Sequence, residues 1–441
     1  MNPNNHLHDG ASPRKAPLPS SSRPGTPAEV VRTVVSRLLD GYEGKVAVRL
    51  WDGTFAHGRS DSPCILLINE PEVVRELVLH PDLFRLVEAY LAGRLDLEGD
   101  FETLFELGDH LERQKLSPFA NLDLARLALQ LPRPRQTREE HGHRWSPLKG
   151  HRNSRDSIAH HYDLGNDFYR LWLDPEMVYS CAYFASETQP LAEAQRDKLD
   201  YLCRKLRLQP GHHLLDIGCG WGALAVWAAK HYGAQVHGIT LSEEQYRYAT
   251  ERVRREGLEE RVTIELRDYR DLPVEPRYDR VVSVGMFEHI GLRNFPRYFG
   301  TIQQLLRPDG LFLNHGITSD SDWKPTVATR FINRYIFPDG ELARVDTVIK
   351  AMEDAGFETL DVESLRPHYA MTLRHWVRNL EAAKEEAVAA TSEATWRLWR
   401  LYMAGCAFNF QRGGIGLHQI LAGHRGAQAV PLRRDDLYRT A

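Results

Sequence analysis

Cysteine is scarce in this sequence. Five residues in 441, Cys64, Cys181, Cys203, Cys219 and Cys406, stand singly and never as C-x-x-C. An odd, scattered count argues against a disulfide framework and against paired thiolates of a structural zinc site, so no metal is predicted and a reducing, cytoplasmic setting fits best. Long apolar runs are missing as well. No stretch approaches the roughly 18 residues that cross a bilayer, and the polar, Pro-rich start lacks the hydrophobic core of a secretory signal. Any membrane contact is therefore expected to be peripheral. An excess of positive charge is also lacking, since 56 Lys and Arg against 60 Asp and Glu give a formal net charge of -4. That disfavours a dedicated nucleic-acid binder, and no nucleic acid is predicted as a partner.

What is present is 42% hydrophobic and 26% charged sequence, the balance of a soluble globular chain of two or three domains. Residues 1–27, rich in Pro, Ser and Gly, are expected to be a disordered tail. Residues 28–131 alternate amphipathic helix patterns such as EVVRELVLHPDLFRLVEAYLAG with short strand candidates VAVRLWDG and CILLIN. They predict a small α+β accessory domain. Residues 132–156, polar and basic with three prolines, read as a linker. From 157 to 430 the runs HLLDIG, QVHGIT, VTIELRD, DRVVSVG, GLFLNHGIT and ETLDVESL alternate with helical patterns, which predicts an α/β fold with a doubly wound, mostly parallel sheet. Residues 431–441 are expected to be a C-terminal tail.

In such a sheet, ligands sit beyond the carboxyl ends of the strands. The first strand runs into LLDIGCGWGALAVWAAKH, where Gly218, Gly220 and Ala223 satisfy a loose dinucleotide-binding pattern. That reading wants an acid at the end of the second strand, and Gly238-Ile239-Thr240 stands there instead. Asp216 precedes the glycines, giving D-x-G-x-G, the arrangement of S-adenosylmethionine (SAM) methyltransferases. Downstream, Ser242 to Gln245 has the form of a helix capping box, a structural use that competes with any ligand role for Gln245.

Together with this turn, the motifs YDLGNDFYRLWLDPEMVYSCAYF, VGMFEHIG, LRPHYAMTLRHW and YMAGCAFNF resemble the cyclopropane-fatty-acyl-phospholipid synthase family, including the mycolic acid cyclopropane synthases. The likeness runs from about His160 to Gly423. It implies a Rossmann-like SAM methyltransferase that adds a methylene to the cis double bond of unsaturated phospholipid acyl chains, working peripherally at the inner face of the membrane, with a homodimer as a further implication. By the same resemblance Tyr179, Ser180, Gly218 and Gly220 would hold the methionine end of SAM, with Asp216 and Gly285 also in the cofactor site. Thr240, Leu241 and Gln245 would take the ribose, and Asp268 and Tyr269 would flank adenine. Cys181, Glu288, His315, Ile317 and Tyr369 would hold bicarbonate, the base of the family's reaction. Gly316 departs from the hydroxyl residue usual after this histidine, and FNFQRGG departs from a common Arg-rich run.

The chemistry passes through a carbocation on the acyl chain, so water must be excluded and aromatic faces are useful. Tyr162, Phe168, Phe184 and Phe287, with Tyr169 and Trp172, are candidates, against the plain alternative that aromatics fill core. The helices over His375 to Tyr402, with Trp376, Trp396 and Trp399, are expected to cover the acyl channel as well as core. Cys406, in an apolar setting, reads as structural. The segment 319–345 interleaves aromatic with basic residues and is expected to touch the bilayer, with a buried lid as the rival reading. Two alternatives to ring closure remain: a methyl or methylene branch on the chain, and a non-catalytic lipid binder.

Overall fold

The computed structural model describes residues 25–113, 118–134, 164–321, 324, 326–337, 340–427 and 430–438. The expected N-terminal tail and linker fall almost wholly outside these residues, as do Tyr162 and Trp323. The described chain opens where the Thr26 hydroxyl accepts from the Glu29 N–H and the Glu29 carboxylate accepts from the Thr26 N–H, a reciprocal cap on the helix Pro27–Leu38.

Among the described residues the strands make two sheets. In the N-terminal one, β1 (Val46–Leu50), β2 (Phe55–His57), β3 (Cys64–Ile68) and β4 (Leu95–Gly99) lie in the order β2-β1-β3-β4. Helices Pro27–Leu38, Pro71–Leu79, Phe84–Leu91, Phe101–Arg113 and Pro118–Ala128 complete this α+β fold.

The second sheet contains β5 (His213–Ile217), β6 (Gln235–Thr240), β7 (Val262–Leu266), β8 (Tyr278–Val284), β9 (Leu306–Ser319), β10 (Phe357–Ser364) and β11 (Ile415–His424). Its order is β10-β11-β9-β8-β5-β6-β7. β5 to β9 pair in parallel, and β11 runs antiparallel to both β9 and β10. Successive residues of β5 face opposite layers: Leu214 packs with helices Leu191–Lys205 and Ala223–Tyr232, whereas Leu215 and Ile217 pack with Phe295–Leu305 and Val345–Asp354. Strand order reverses between β5 and β8, and the crevice beyond their carboxyl ends is where the geometry favours a ligand.

The two folds are locked by ion pairs from the C-terminal part. Helix Glu393–Arg412 sends the buried Arg397 to Asp96 at 2.9 Å, and Arg374 of helix Arg366–Ala382 reaches Glu102 at 2.6 Å. The segment 319–345, expected at the bilayer, takes part in this dock. Arg330 forks onto Asp82 at 3.0 and 3.1 Å, Arg334 pairs with Glu88, Tyr335 stacks on Phe84 and Phe331 is buried. Arg330, Arg334 and Tyr335 thus meet complementary residues on the N-terminal fold, as the rival reading of a docked lid expects, while both arginines and Lys324 keep exposed surface. The expected tail 431–441, exposed from 431 to 435, is anchored to the fold at 436 and 437. Leu437 is buried, Arg204 donates to its carbonyl, and Arg207 pairs with Asp436 at 3.0 Å.

Candidate active site

The turn after β5 winds through left-handed backbone at Gly218 (φ 81°), Gly220 (φ 54°) and Gly222 (φ 81°), a path L side chains rarely follow. At Gly220 an added Cβ would find no atom within 4 Å, so the backbone is bare toward an open cavity of about 170 Å³. All the residues expected to hold SAM line that cavity: Tyr179, Ser180, Asp216, Gly218, Gly220, Thr240, Leu241, Gln245, Asp268, Tyr269 and Gly285.

Two charges sit beneath it. Asp216 is buried, and burial pushes its carboxyl up to about 7 against the opposing pull of Lys198. Lys198, from helix Leu191–Lys205, donates to Ser180 Oγ at 2.8 Å, and burial pushes its ammonium down to about 8. The sequence reading passed over Lys198. Its signal was a lysine on the same helical face as Ala194 and Leu202, where only apolar residues are otherwise expected.

The competition at Gln245 resolves into a division of labour. Ser242 Oγ caps the Gln245 N–H at 3.3 Å, while Gln245 Oε1 accepts from the Thr240 hydroxyl at 2.8 Å, so the box's second arm does not form. Asp268 is also a turn former, capping the 3₁₀ turn Tyr269–Asp271. Burial works against its charge, yet hydrogen bonds from the Arg270 side chain and backbone hold its carboxyl below the usual range.

Tyr179, Ser180, Gly285 and His289 also line a second, larger cavity of about 790 Å³, mostly apolar in composition. Cys181, Glu288, His315, Ile317 and Tyr369 all stand on its wall. Glu288 Oε1 accepts from the Ile317 N–H at 2.7 Å, and burial pushes the carboxyl up to about 7. His315 Nδ1 meets Gln419 Nε2 at 3.1 Å, and burial lowers its imidazole well below the ordinary value. Gln419 lies directly opposite His315 in the β9–β11 register, so the antiparallel strand absent from the sequence reading positions this histidine. Burial raises both the Cys181 thiol and the Tyr369 phenol, which keeps them protonated. Among the described residues, Glu288 Oε2 and His315 Nε2 are sealed from solvent with no hydrogen-bond partner, a costly state for buried polar atoms.

Gly316 is explained by its neighbours. A Cβ there would stand 2.0 Å from Phe287 Cε1 and 3.0 Å from Glu288 Oε1, so the ring of Phe287 takes the space a side chain would need. The aromatic candidates themselves are corrected. Phe168 packs in a cluster with Tyr169, Trp172 and Trp399, Phe184 stacks on His375, and Phe287 packs against Phe295. These are core contacts, and the cavity's aromatic wall near the site comes instead from Tyr179, Phe337, Tyr369 and Tyr402. Trp376, Trp396 and Trp399 are buried in core as well. Cys406 reaches the cavity, but burial pushes its thiol up to about 12, which suits an inert residue.

Known proteins resemble this chain. The family model described as mycolic acid cyclopropane synthetase matches residues 149–420. Over 402 residues the chain is 44% identical to the probable fatty acid methyltransferase of Pseudomonas putida, spanning 89% of this chain and 96% of that protein. It is 43% identical over 264 residues to the cyclopropane-fatty-acyl-phospholipid synthase of Escherichia coli K12, spanning 59% of this chain and 66% of that one. Among solved structures, mycolic acid cyclopropane synthase CmaA1 complexed with SAH and CTAB superposes with a TM-score of 0.58 at 37% identity, covering 61% of this chain and 97% of that one.

Proposed function

The chain belongs to the mycolic acid cyclopropane synthetase family of SAM-dependent methyltransferases, and on that premise we propose that it converts cis-unsaturated acyl chains of membrane phospholipids into cyclopropane chains. The observation that carries this reading is the shared wall of Tyr179, Ser180 and Gly285, which joins a mixed, more polar cavity at the glycine turn to a largely apolar one holding Glu288 and His315. In the reaction, the π electrons of the double bond attack the sulfonium methyl carbon, the carbon–sulfur bond breaks, and the neighbouring chain carbon becomes cationic. Loss of a proton from the added methyl then lets its electron pair close the ring. No helix among the described residues is long and apolar enough to cross a membrane.

The residues present fit bicarbonate, since Glu288 Oε2 and His315 Nε2 are buried polar atoms lacking partners and Tyr369 adds a protonated phenol to the same wall. Cys181, Glu288, His315, Ile317 and Tyr369 would hold it, and when bound it supplies a base beside the reacting methyl. The chain's own part is to fix that base and exclude water. Ile317 N–H and Gln419 set the orientations of Glu288 and His315, while the apolar wall keeps solvent from the cation.

The same cation can instead take a hydride from the adjacent methyl-bearing carbon, and loss of a proton from the added methyl of the resulting tertiary cation then gives a methylene branch. This second reading gains weight because a relative aligned with nearly the whole chain is named a fatty acid methyltransferase. Proton NMR of lipid recovered after incubation with SAM and oleoyl-phospholipid vesicles separates them. Upfield cyclopropane methylene signals are expected, and vinylic methylene signals in their place would install the branching reading.

The cofactor half is tested separately. Gly220→Val forces a branched side chain into left-handed backbone and into the open cavity. Calorimetric SAM affinity should fall by about a hundredfold or more, since several kcal/mol of strain and overlap are at stake. Undiminished binding in the folded variant would remove SAM from this turn.

A further inference from the structure

The larger cavity does not stop at the proposed reaction centre. It continues past Gly405 of helix Glu393–Arg412 and Phe105 of helix Phe101–Arg113 into the N-terminal fold, which lies outside the matched family model. A Cβ on Gly405 would stand 3.3 Å from Phe105 Cζ, so the missing side chain relieves the narrow point between the two folds. Beyond it the lining is a row of cross-strand neighbours, Val48 on β1, Leu66 on β3 and Leu97 on β4, held side by side by the sheet's register. Leu66 sits on an inner strand, flanked by β1 and β4, yet is only partly buried, because its side chain packs on the core along one side and borders this space along the other.

Protein interiors are ordinarily close-packed, and vacant apolar space costs about 24 cal/mol per Å³ in mutational series. A fold that keeps such a hollow open toward a reaction centre has an occupant for it. The occupant must be long, flexible and wholly apolar where it meets the Val48–Leu66–Leu97 row, and it must carry its reactive group some distance from its end. We propose that the N-terminal fold receives the methyl end of the substrate's acyl chain, so that its sheet sets how much chain beyond the double bond the enzyme accepts. This inference takes its occupant from the function proposed above. The polar headgroup then stays on the outer side of the reaction centre, and the part named accessory becomes part of the substrate site.

Two measurements on the full-length protein test it. A phosphatidylglycerol whose cis-monounsaturated chain ends in a diazirine is photolysed with the wild-type protein in vesicles, and the labelled peptides are mapped by mass spectrometry. Label is expected on the strands β1, β3 and β4 or on the helix Phe101–Arg113. Label confined to residues after 164, or none above an unlabelled-lipid control, overturns the proposal. In parallel, turnover is compared on palmitoleoyl, oleoyl and gadoleoyl phospholipids, which place the double bond at the same distance from the carboxyl group and differ only in the tail. In Leu66→Trp, which fills the hollow, the ratio of gadoleoyl to palmitoleoyl turnover should fall by about tenfold or more relative to wild type, in keeping with pocket discrimination by chain length. Val48→Phe serves where the tryptophan variant does not fold, and an unchanged ratio in a folded variant overturns the proposal. A wild-type protein that takes the label in its N-terminal fold but methylates none of the three lipids would leave the cavity assignment standing and remove the phospholipid reaction instead.

Discussion

Glu288→Gln is expected to lower turnover by about a hundredfold or more while leaving SAM affinity near that of wild type. The amide keeps the size of the carboxylate and an oxygen to accept from the Ile317 N–H, so the local fold survives. What it loses is the charge that would orient a base beside the added methyl. The same substitution should raise stability. Burial lifts the Glu288 carboxyl from an ordinary value of 4.5 to about 7, so between those values the folded protein holds a proton that the unfolded chain has released. Stability therefore falls as pH climbs through that window, and the full cost persists above it. The glutamine variant should melt higher than wild type at about pH 8, with the difference shrinking toward about pH 5. Wild-type turnover should rise as pH passes 7, as the carboxylate forms. Calorimetric melting at both pH values and steady-state rates check the whole pattern. Normal turnover in the variant would end the ring-closing role for Glu288. This is the signature of a group kept for chemistry at the expense of stability.

The glycine turn was legible because its requirement is local. Asp216, Gly218 and Gly220 are adjacent in sequence, and six strands of the second sheet announced themselves as short β-rich runs between helical patterns. β11 was not legible, since IGLHQILAGH carries Gly, His and Gln through a strand buried between two others. Those polar residues have partners that no sequence window shows: Gln419 meets His315 and His418 meets Thr318 across the sheet. Lys198 was hidden for a similar reason, as its partner Ser180 arrives from a different segment. The wall of Glu288, His315 and Tyr369 was placed by resemblance, because residues far apart in sequence converge only through the sheet's topology. Aromatic composition misled where it was read as pocket, since Phe168, Phe184 and Phe287 satisfy each neighbouring ring and leave nothing facing the cavity. The docking of segment 319–345 was not legible because its arginines look the same in sequence whether they meet lipid phosphates or Asp82 and Glu88.

Arg397→Met should loosen the dock between the two folds and lower lipid turnover before it touches SAM binding. The guanidinium is buried at the junction, donating to both Asp96 oxygens at 3.2 and 2.9 Å, to Glu393 Oε1 at 2.9 Å, and to the carbonyls of Tyr90 and Leu95. Asp96 and Glu393 retain access to water, so they can resolvate when the cation goes, but the two carbonyls and the planar fork lose their fit. Hydrogen bonds to charged groups are worth about 1.5–3 kcal/mol each, so the lost set is large beside the total stability of an ordinary domain. Met preserves the aliphatic stem, which isolates the polar loss from a packing defect. The wall of the larger cavity comes from both folds, and undocking opens it to water that would quench the cation. Scanning calorimetry should then show the single melting transition split or broaden toward lower temperature. Turnover on phospholipid vesicles should drop by at least about tenfold, while calorimetric SAM affinity, set by a cavity on the far side of Tyr179 and Gly285, stays close to wild type. Arg397→Lys should fail to rescue, because an ammonium cannot span Asp96, Glu393 and the carbonyls at once. A variant that melts and turns over as wild type would show that the N-terminal fold stays docked by its apolar contacts and its other ion pairs, and that the arginine merely decorates the junction.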